Sequence, residues 1–456
     1  MSASARDFGV HHQARGMNLH RTRFLFLSLL LSSLVSAPSA ARPITHEDVW
    51  SLRRLGTPAV SPDGKWAVVS VTEPDYDKEK QISDLWLIPT EGGKPPRRLT
   101  STPAPENGVR WSKQGDKIVF TTKRGKDETQ QLYVLDMTGP GEAQRVGEFP
   151  LDCSNPQFTP DGRSLVFEAQ VYPGKTDPES QKQAKAEAKD RKEKVSTYDS
   201  FPVRHWDHWL DGRHPRPYLV SLARSNTFRD LLADQPLVKE KGFAGVPGLS
   251  SESLQCAISP DGKDLLFVAT TNRHEAVKTN TIYRLYRVPM AGGEVLEVPG
   301  PEGSIFTPVF SPQDKLYTTF EPHNEWVYNL LELRVQEWPA KSVGKSLTLG
   351  SDLSVEEFAV SPSGRVVFTS DTHGRRRLYL AEEGKRPQPF DGNSRGVFSG
   401  LALGLQGVVC RYEDGSTPAE LVRVDLQGQR KPLSAFNSSR LQDVEQRPFE
   451  EFWFTS

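Results

Sequence analysis

The chain has 456 residues, with 57 Lys+Arg against 58 Asp+Glu and a quarter of its residues charged. That composition excludes a disordered or collagen-like chain, and the near-zero balance lacks the electrostatic footprint of a nucleic-acid binder. Gly and Pro, at 35 each, imply many turns, and three Cys at these spacings form neither a disulfide framework nor a metal site.

Taken in chain order, residues 1–41 read as a secretory signal. His20, Arg21 and Arg23 make a basic start, Phe24 to Val35 an apolar stretch of about a dozen residues, and Ser39-Ala40-Ala41 a small-residue cleavage site. The stretch is shorter than the ~20 residues a membrane span requires. The expectation is an exported protein, periplasmic or secreted, cleaved near Ala41, with no membrane span. The remaining chain carries 53 basic and 57 acidic residues. Residues 42–56 are read as a short helix, capped by Thr45, running to Leu55 and stopped at Gly56.

From there a turn signature recurs: Ser61-Pro62-Asp63-Gly64, Ser112-Lys113-Gln114-Gly115, Thr159-Pro160-Asp161-Gly162, Ser259-Pro260-Asp261-Gly262, Ser311-Pro312-Gln313-Asp314 and Ser361-Pro362-Ser363-Gly364. The spacings are 51, 47, 100, 52 and 50 residues, the 100 being one period plus an insertion. A fixed period near 50 marks an array of one supersecondary unit. Each signature sits between short apolar runs, such as Ala59-Val60 and Ala67-Val68-Val69. A third run follows, such as Leu85-Trp86-Leu87-Ile88, and then a Gly-Gly turn. Runs this short, rich in β-branched and aromatic residues, are strands, and four antiparallel strands per repeat is a propeller blade. A degenerate seventh unit fits Phe398 to Ser434. The fold expected is all-β: a seven-bladed β-propeller of four-stranded antiparallel blades over residues 57–436. It carries a short N-terminal helix and a charged helical insertion in blade 3, at about residues 172–213. Residues Glu179–Lys194 of that insertion lack an apolar stripe and read as a solvated helix.

The insertion ends in Arg204-His205-Trp206-Asp207-His208-Trp209. His205, Asp207, His208, Asp211 and His214 are chemically competent metal ligands. Beside Trp206 and Trp209, however, they read as a packed, hydrogen-bonded cluster, and no metal or other cofactor is assigned. A second role is open to the same residues: indole faces packing on a peptide while Arg204 pairs with a carboxylate. Glu321 to Trp326, similar in texture, reads as a strand connection. Cys256 and Cys410 lie in apolar runs and read as buried thiols, and a single bridge stays open.

The blade signature, the N-terminal helix, the Lys-rich insertion and the Arg204–Trp209 cluster together resemble the N-terminal propeller of the prolyl oligopeptidase group of serine peptidases. The dipeptidyl-peptidase and acylaminoacyl-peptidase branch is the most similar. Leu433 to Asn437 and Glu450 to Phe454 resemble the link from propeller to hydrolase domain, so residues 437–456 read as the start of a linker. The resemblance implies an α/β-hydrolase domain carrying Ser, Asp and His, which the propeller caps so that only small or unstructured peptides enter. The expected partners are a peptide substrate or a hydrolase domain, in cis or from a downstream gene. The chain itself is expected to be a truncated or split product. One nucleophile-elbow pattern exists, Gly392-Asn393-Ser394-Arg395-Gly396, but loop precedes it and the last histidine is His373. No catalytic residue is therefore assigned. The alternative is a stand-alone TolB-like propeller that binds partner proteins on its loop faces.

Overall fold

The computed structural model describes residues 41–455, apart from 76–79, 194, 199–200, 250, 327 and 362. The signal-peptide reading, but for Ala41, and Pro362 of the sixth signature fall outside them. Seven antiparallel sheets follow one another along the chain, each built on four strands in sequential order, the first carrying Arg54–Leu55 as a fifth strand. Their first strands begin at Ala59, Asn107, Cys153, Ala257, Gly303, Glu357 and Val397. The last sheet is the degenerate repeat, with strands Val397–Gly404, Gly407–Asp414, Thr417–Asp425 and Arg430–Pro432.

In blades 1 to 6 the signature Ser or Thr helps close the first-to-second strand turn, its hydroxyl accepting from an amide four or five residues on. The Ser61 hydroxyl donates to Asp63 at 2.6 Å and accepts from the Trp66 amide at 3.0 Å, while the Gly64 amide donates to the Ser61 carbonyl at 2.8 Å. Ser259 and Thr159 repeat these contacts. Gly64 stands at φ 71°, which glycine adopts freely. In blade 5 Asp314 takes that place at φ 55°, at some cost in strain.

Every blade buries both faces, because side chains alternate along a strand. In the second strand of blade 1, Trp66–Asp75, Ala67, Val69 and Val71 join one core while Val68 joins another. Six cores lie between successive blades, around Phe120, Phe167, Phe267, Leu316, Phe368 and Phe398. The seventh joins the last blade to the first: Val409, Leu421, Leu433 and Phe436 pack on Val69, Val71 and Ile88. Seven sheets with seven interfaces make a closed ring.

No strand is shared across the closing interface; side chains seal it. Asn437, buried, accepts from the Arg53 amide at 2.8 Å and donates to the Arg53 carbonyl at 3.1 Å. Arg411 reaches the Leu55 carbonyl at 2.8 Å and Lys431 the Glu91 carbonyl at 2.6 Å. Arg42 pairs with both Asp48 and Asp443, and its backbone bonds residues 443 and 445.

Helix α1 spans only His46–Ser51, shorter than the sequence suggests. Thr45 and Asp48 form its capping box. Leu52 is extended, and Arg54–Leu55 pair with Val71 and Thr72 along blade 1's second strand. That strand outruns Ala59–Val60, so its far end has open backbone groups, and pairing with them outweighs another helical turn. Helix α2, Pro178–Asp190, lies in the 172–213 segment between the second and third strands of blade 3. Its buried Gln181 ties it to the blade through the Tyr172 amide and carbonyl.

Strand alternation divides the ring's two faces. Signature turns and third-to-fourth turns lie on one. Second-to-third turns, blade-to-blade connections, the 172–213 insertion and the segments 42–56 and 437–455 lie on the other, here called the insertion face.

Removing the seal tests its weight. Asn437→Ala strands two backbone groups and is expected to cost about 2 kcal/mol, and Leu421→Ala about 3 kcal/mol. Urea denaturation reads both, and a loss below about 0.5 kcal/mol for each would show that the closing interface does not carry the ring.

Candidate functional site on the insertion face

The Arg204–Trp209 cluster is a hairpin. Arg204–His205 pair with His208–Trp209 across a two-residue turn, with Trp206 at φ 51°. Tyr198 stacks on Trp209 at 6.2 Å between centroids, and its hydroxyl donates to the Leu210 carbonyl at 2.9 Å. The Leu210 amide in turn donates to the Val203 carbonyl at 3.0 Å. His208 Nε2 lies 3.2 Å from Asp207. The hairpin is not a buried plug: Trp206 is 83% and Trp209 66% exposed. The packed-cluster reading is thus corrected. The two-residue turn aims Trp206 and Asp207 outward, where no element among the described residues covers them.

A second hairpin faces the first. Val246–Pro247 pair with Ser253 and Glu252, and exposed Leu249 lies between the two strands. Between the hairpins lies a cavity of about 100 Å³, lined by His205, His208, Trp209, Leu249, Glu252 and Arg273 among others. At its base Arg273 forms a close ion pair with Glu252, whose backbone carbonyl accepts from Gln170 at 2.6 Å. Burial pushes the Glu252 carboxyl above its usual range, against the pull of Arg273 and of the Gly245 amide. The cavity therefore joins an aromatic wall and two imidazoles to an internally neutralised floor. Among the described residues no three His, Cys, Asp or Glu converge as metal ligands. His214 points elsewhere, against Phe243 at 6.1 Å.

The second hairpin, Glu252 and Arg273 were missed by the sequence reading. The signal was the 100-residue gap, assigned whole to one insertion. The structure divides the surplus between residues 172–213 and a 26-residue connection, 231–256, from blade 3 to blade 4.

No family model matches this chain. Among curated proteins it is similar to an uncharacterized peptidase, YuxL, of Bacillus subtilis (27% identity over 53% of this chain and 33% of that protein). It is also similar to a dipeptidyl-peptidase 5 of Porphyromonas endodontalis (25%, 61% and 38%) and one of Trichophyton tonsurans (25%, 77% and 49%). Among solved structures, an acylaminoacyl peptidase of Pyrococcus horikoshii shares the fold at TM-score 0.64, 15% identity, over 87% of this chain and 55% of that one. The β-propeller domain of the trilobed protease from Pyrococcus furiosus shares it at TM-score 0.57, 14% identity, over 84% and 96%. The chain is a seven-bladed propeller that is similar in sequence to dipeptidyl-peptidase 5 proteins and shares the fold of acylaminoacyl-peptidase propellers. It spans between about a third and a half of the length of these curated relatives.

Within this propeller Ser394 lies in the loop between blades 6 and 7. Its hydroxyl accepts from Arg430 at 3.4 Å, and its amide bonds Asp391, whose carboxylate is held by both ends of the Arg377 guanidinium. That is a turn, not an elbow. The three thiols are free, and burial raises the pKa of each.

His214, which flanks the site, has Nδ1 buried without a partner. Burial, then Arg273 and Arg216, push its pKa down to about 4, with Asp211 opposing. The unfolded value is near 6.5, so protonation favours unfolding. Its contribution is full above pH 6.5 and lost as pH falls toward 4. Relative to His214→Asn, the wild type should lose about 2 kcal/mol between pH 7 and pH 4. Thermal melts of both proteins across that range check this, and parallel profiles would contradict it.

Proposed function

We propose that this ring is the non-catalytic, access-controlling part of an exported serine peptidase of the prolyl oligopeptidase type, restricting a hydrolase domain to short peptides. One observation carries the reading. Of the eleven exposed Trp, Tyr and Phe side chains among the described residues, ten lie on the insertion face, and Trp66 alone on the other. They comprise Tyr198, Phe201, Trp206 and Trp209 of the insertion, Trp326 and Tyr328 of the blade 5 loop, and Phe449, Phe452, Trp453 and Phe454 of the C-terminal stretch. An aromatic surface of this extent fits a partner domain. The segment 448–451 already crosses that face, beside the 373–375 and 414–416 turns, with Arg375 paired to Glu451.

Arg204, His205, Trp206, Asp207, His208 and Trp209 are the substrate-gating residues of this reading. Trp209 and the imidazoles offer a wall for a peptide, and Arg204, exposed and without a carboxylate partner among the described residues, offers a fork for a carboxylate. The leader-like stretch Phe24 to Val35 supports export. Among the described residues no helix is long and apolar enough to cross a membrane.

Two measurements test the proposal. A fluorophosphonate probe should label no serine of this chain, and labelling of any would overturn the non-catalytic role. In the enzyme formed with its hydrolase domain, Arg204→Ala/Trp209→Ala should raise KM for tetrapeptides about fivefold at unchanged kcat. An unchanged KM would remove the hairpin from the gate.

A further inference from the structure

The innermost strands carry an equivalent position two residues before each signature Ser or Thr. It holds Ala59, Arg110, Gln157, Ala257, Val309 and Ala359, so one blade alone places a charge there. Strand geometry fixes where that charge goes. Arg110 pairs with Val119, and the Ser112 amide bonds the Lys117 carbonyl at 2.8 Å, so residues 110 and 112 direct their backbone into the blade. The Val109 carbonyl, on the far side of the peptide plane from the Arg110 amide, then points off the blade's inner edge, toward the ring axis. The Arg110 guanidinium donates to that carbonyl at 3.0 Å. It is held at the axial edge by one bond, with most of its five N–H donors uncommitted.

No carboxylate among the described residues pairs with it. Surrounding protein, with no neighbouring charge contributing, pulls its pKa below the ordinary value. The residue is nevertheless exposed. Solvent reaches it, yet the ring encloses it, a setting in which an arriving anion gains more than on an open surface.

We propose that Arg110 makes the ring axis a carboxylate-binding site, whose ligand is the free C-terminus of a short peptide. The choice of a peptide rests on the access role proposed above; the anion site does not. A planar guanidinium free on one edge matches a carboxylate bidentately.

Saturation-transfer NMR on the whole chain tests this with three probes: acetyl-Ala-Ala as free acid, the same peptide as C-terminal amide, and inorganic phosphate as competitor. The wild type should bind the acid roughly tenfold more tightly than the amide. Arg110→Gln should bring the two level with an unchanged melting temperature, and Arg110→Lys, which keeps charge but loses the fork, should fall between. Equal binding of acid and amide to the wild type would overturn the proposal. So would a preference that survives Arg110→Gln, or phosphate outcompeting the acid. The readout is an equilibrium without turnover, so failure of the gating reading would leave it interpretable.

Discussion

The structure depends on lateral packing between sheets that are apolar on both faces. A blade with Val69 on one side and Val68 on the other cannot leave either exposed, so each must find a neighbour. Seven such blades satisfy one another only by meeting end to end. The burden falls on the interface between blades 7 and 1, which no shared strand crosslinks. Leu421 and Phe436 supply its apolar core, and Asn437, Arg53, Arg411, Lys431 and Arg42 satisfy the polar groups around it. Residues 42–55 and 433–445 thus act as two halves of a seal rather than as tails.

Inside the ring, polar side chains reach from one blade to the first strand of the next. Glu168 accepts from the Leu254 amide at 2.8 Å, Gln255 from Thr307 at 2.7 Å, and Glu357 from Gly400 at 2.7 Å. Each meets the backbone near an irregular stretch of a first strand, where amides are freed from the ladder; Thr307 and Gly400 there have positive φ. The same irregularity therefore serves twice, turning the inner strand and supplying donors that fix neighbouring blades. On the rim the economy is one-sided. Ser, Asp and Gly close tight turns on the signature face, while the insertion face takes the long segments and nearly all exposed aromatic surface.

The architecture was legible because its cause is local and repeated. Ser61, Asp63 and Gly64 make a turn from their own atoms, and five near-copies of them announce the period. Blade 7 lacks the signature yet was readable from its apolar runs, since double-faced burial leaves that pattern in any blade. The end of α1 was not legible. Arg54 and Leu55 are compatible with helix, and only the open edge beyond Ala59–Val60, distant in sequence, makes them a strand. The candidate site was half legible. The Arg204–Trp209 hairpin stood out by its aromatic and charged density, but its exposure depends on which elements the fold places beside it. The facing hairpin, with Leu249 and Glu252, has an unremarkable composition and gains meaning only from proximity. Arg110 was visible as part of a strand, and its isolation at the axis follows only once the ring closes.

Native-state hydrogen exchange at the seam tests ring closure most directly. The account predicts that the amides of Arg53 and Glu445, bonded to Asn437 and Arg42 across the seam, exchange only with global unfolding. They should match the first-strand amides of blades 2 to 6 in protection. Exchange at the seam several orders of magnitude faster than in those blades would contradict it, showing a ring that opens between blades 7 and 1 while the rest stays folded.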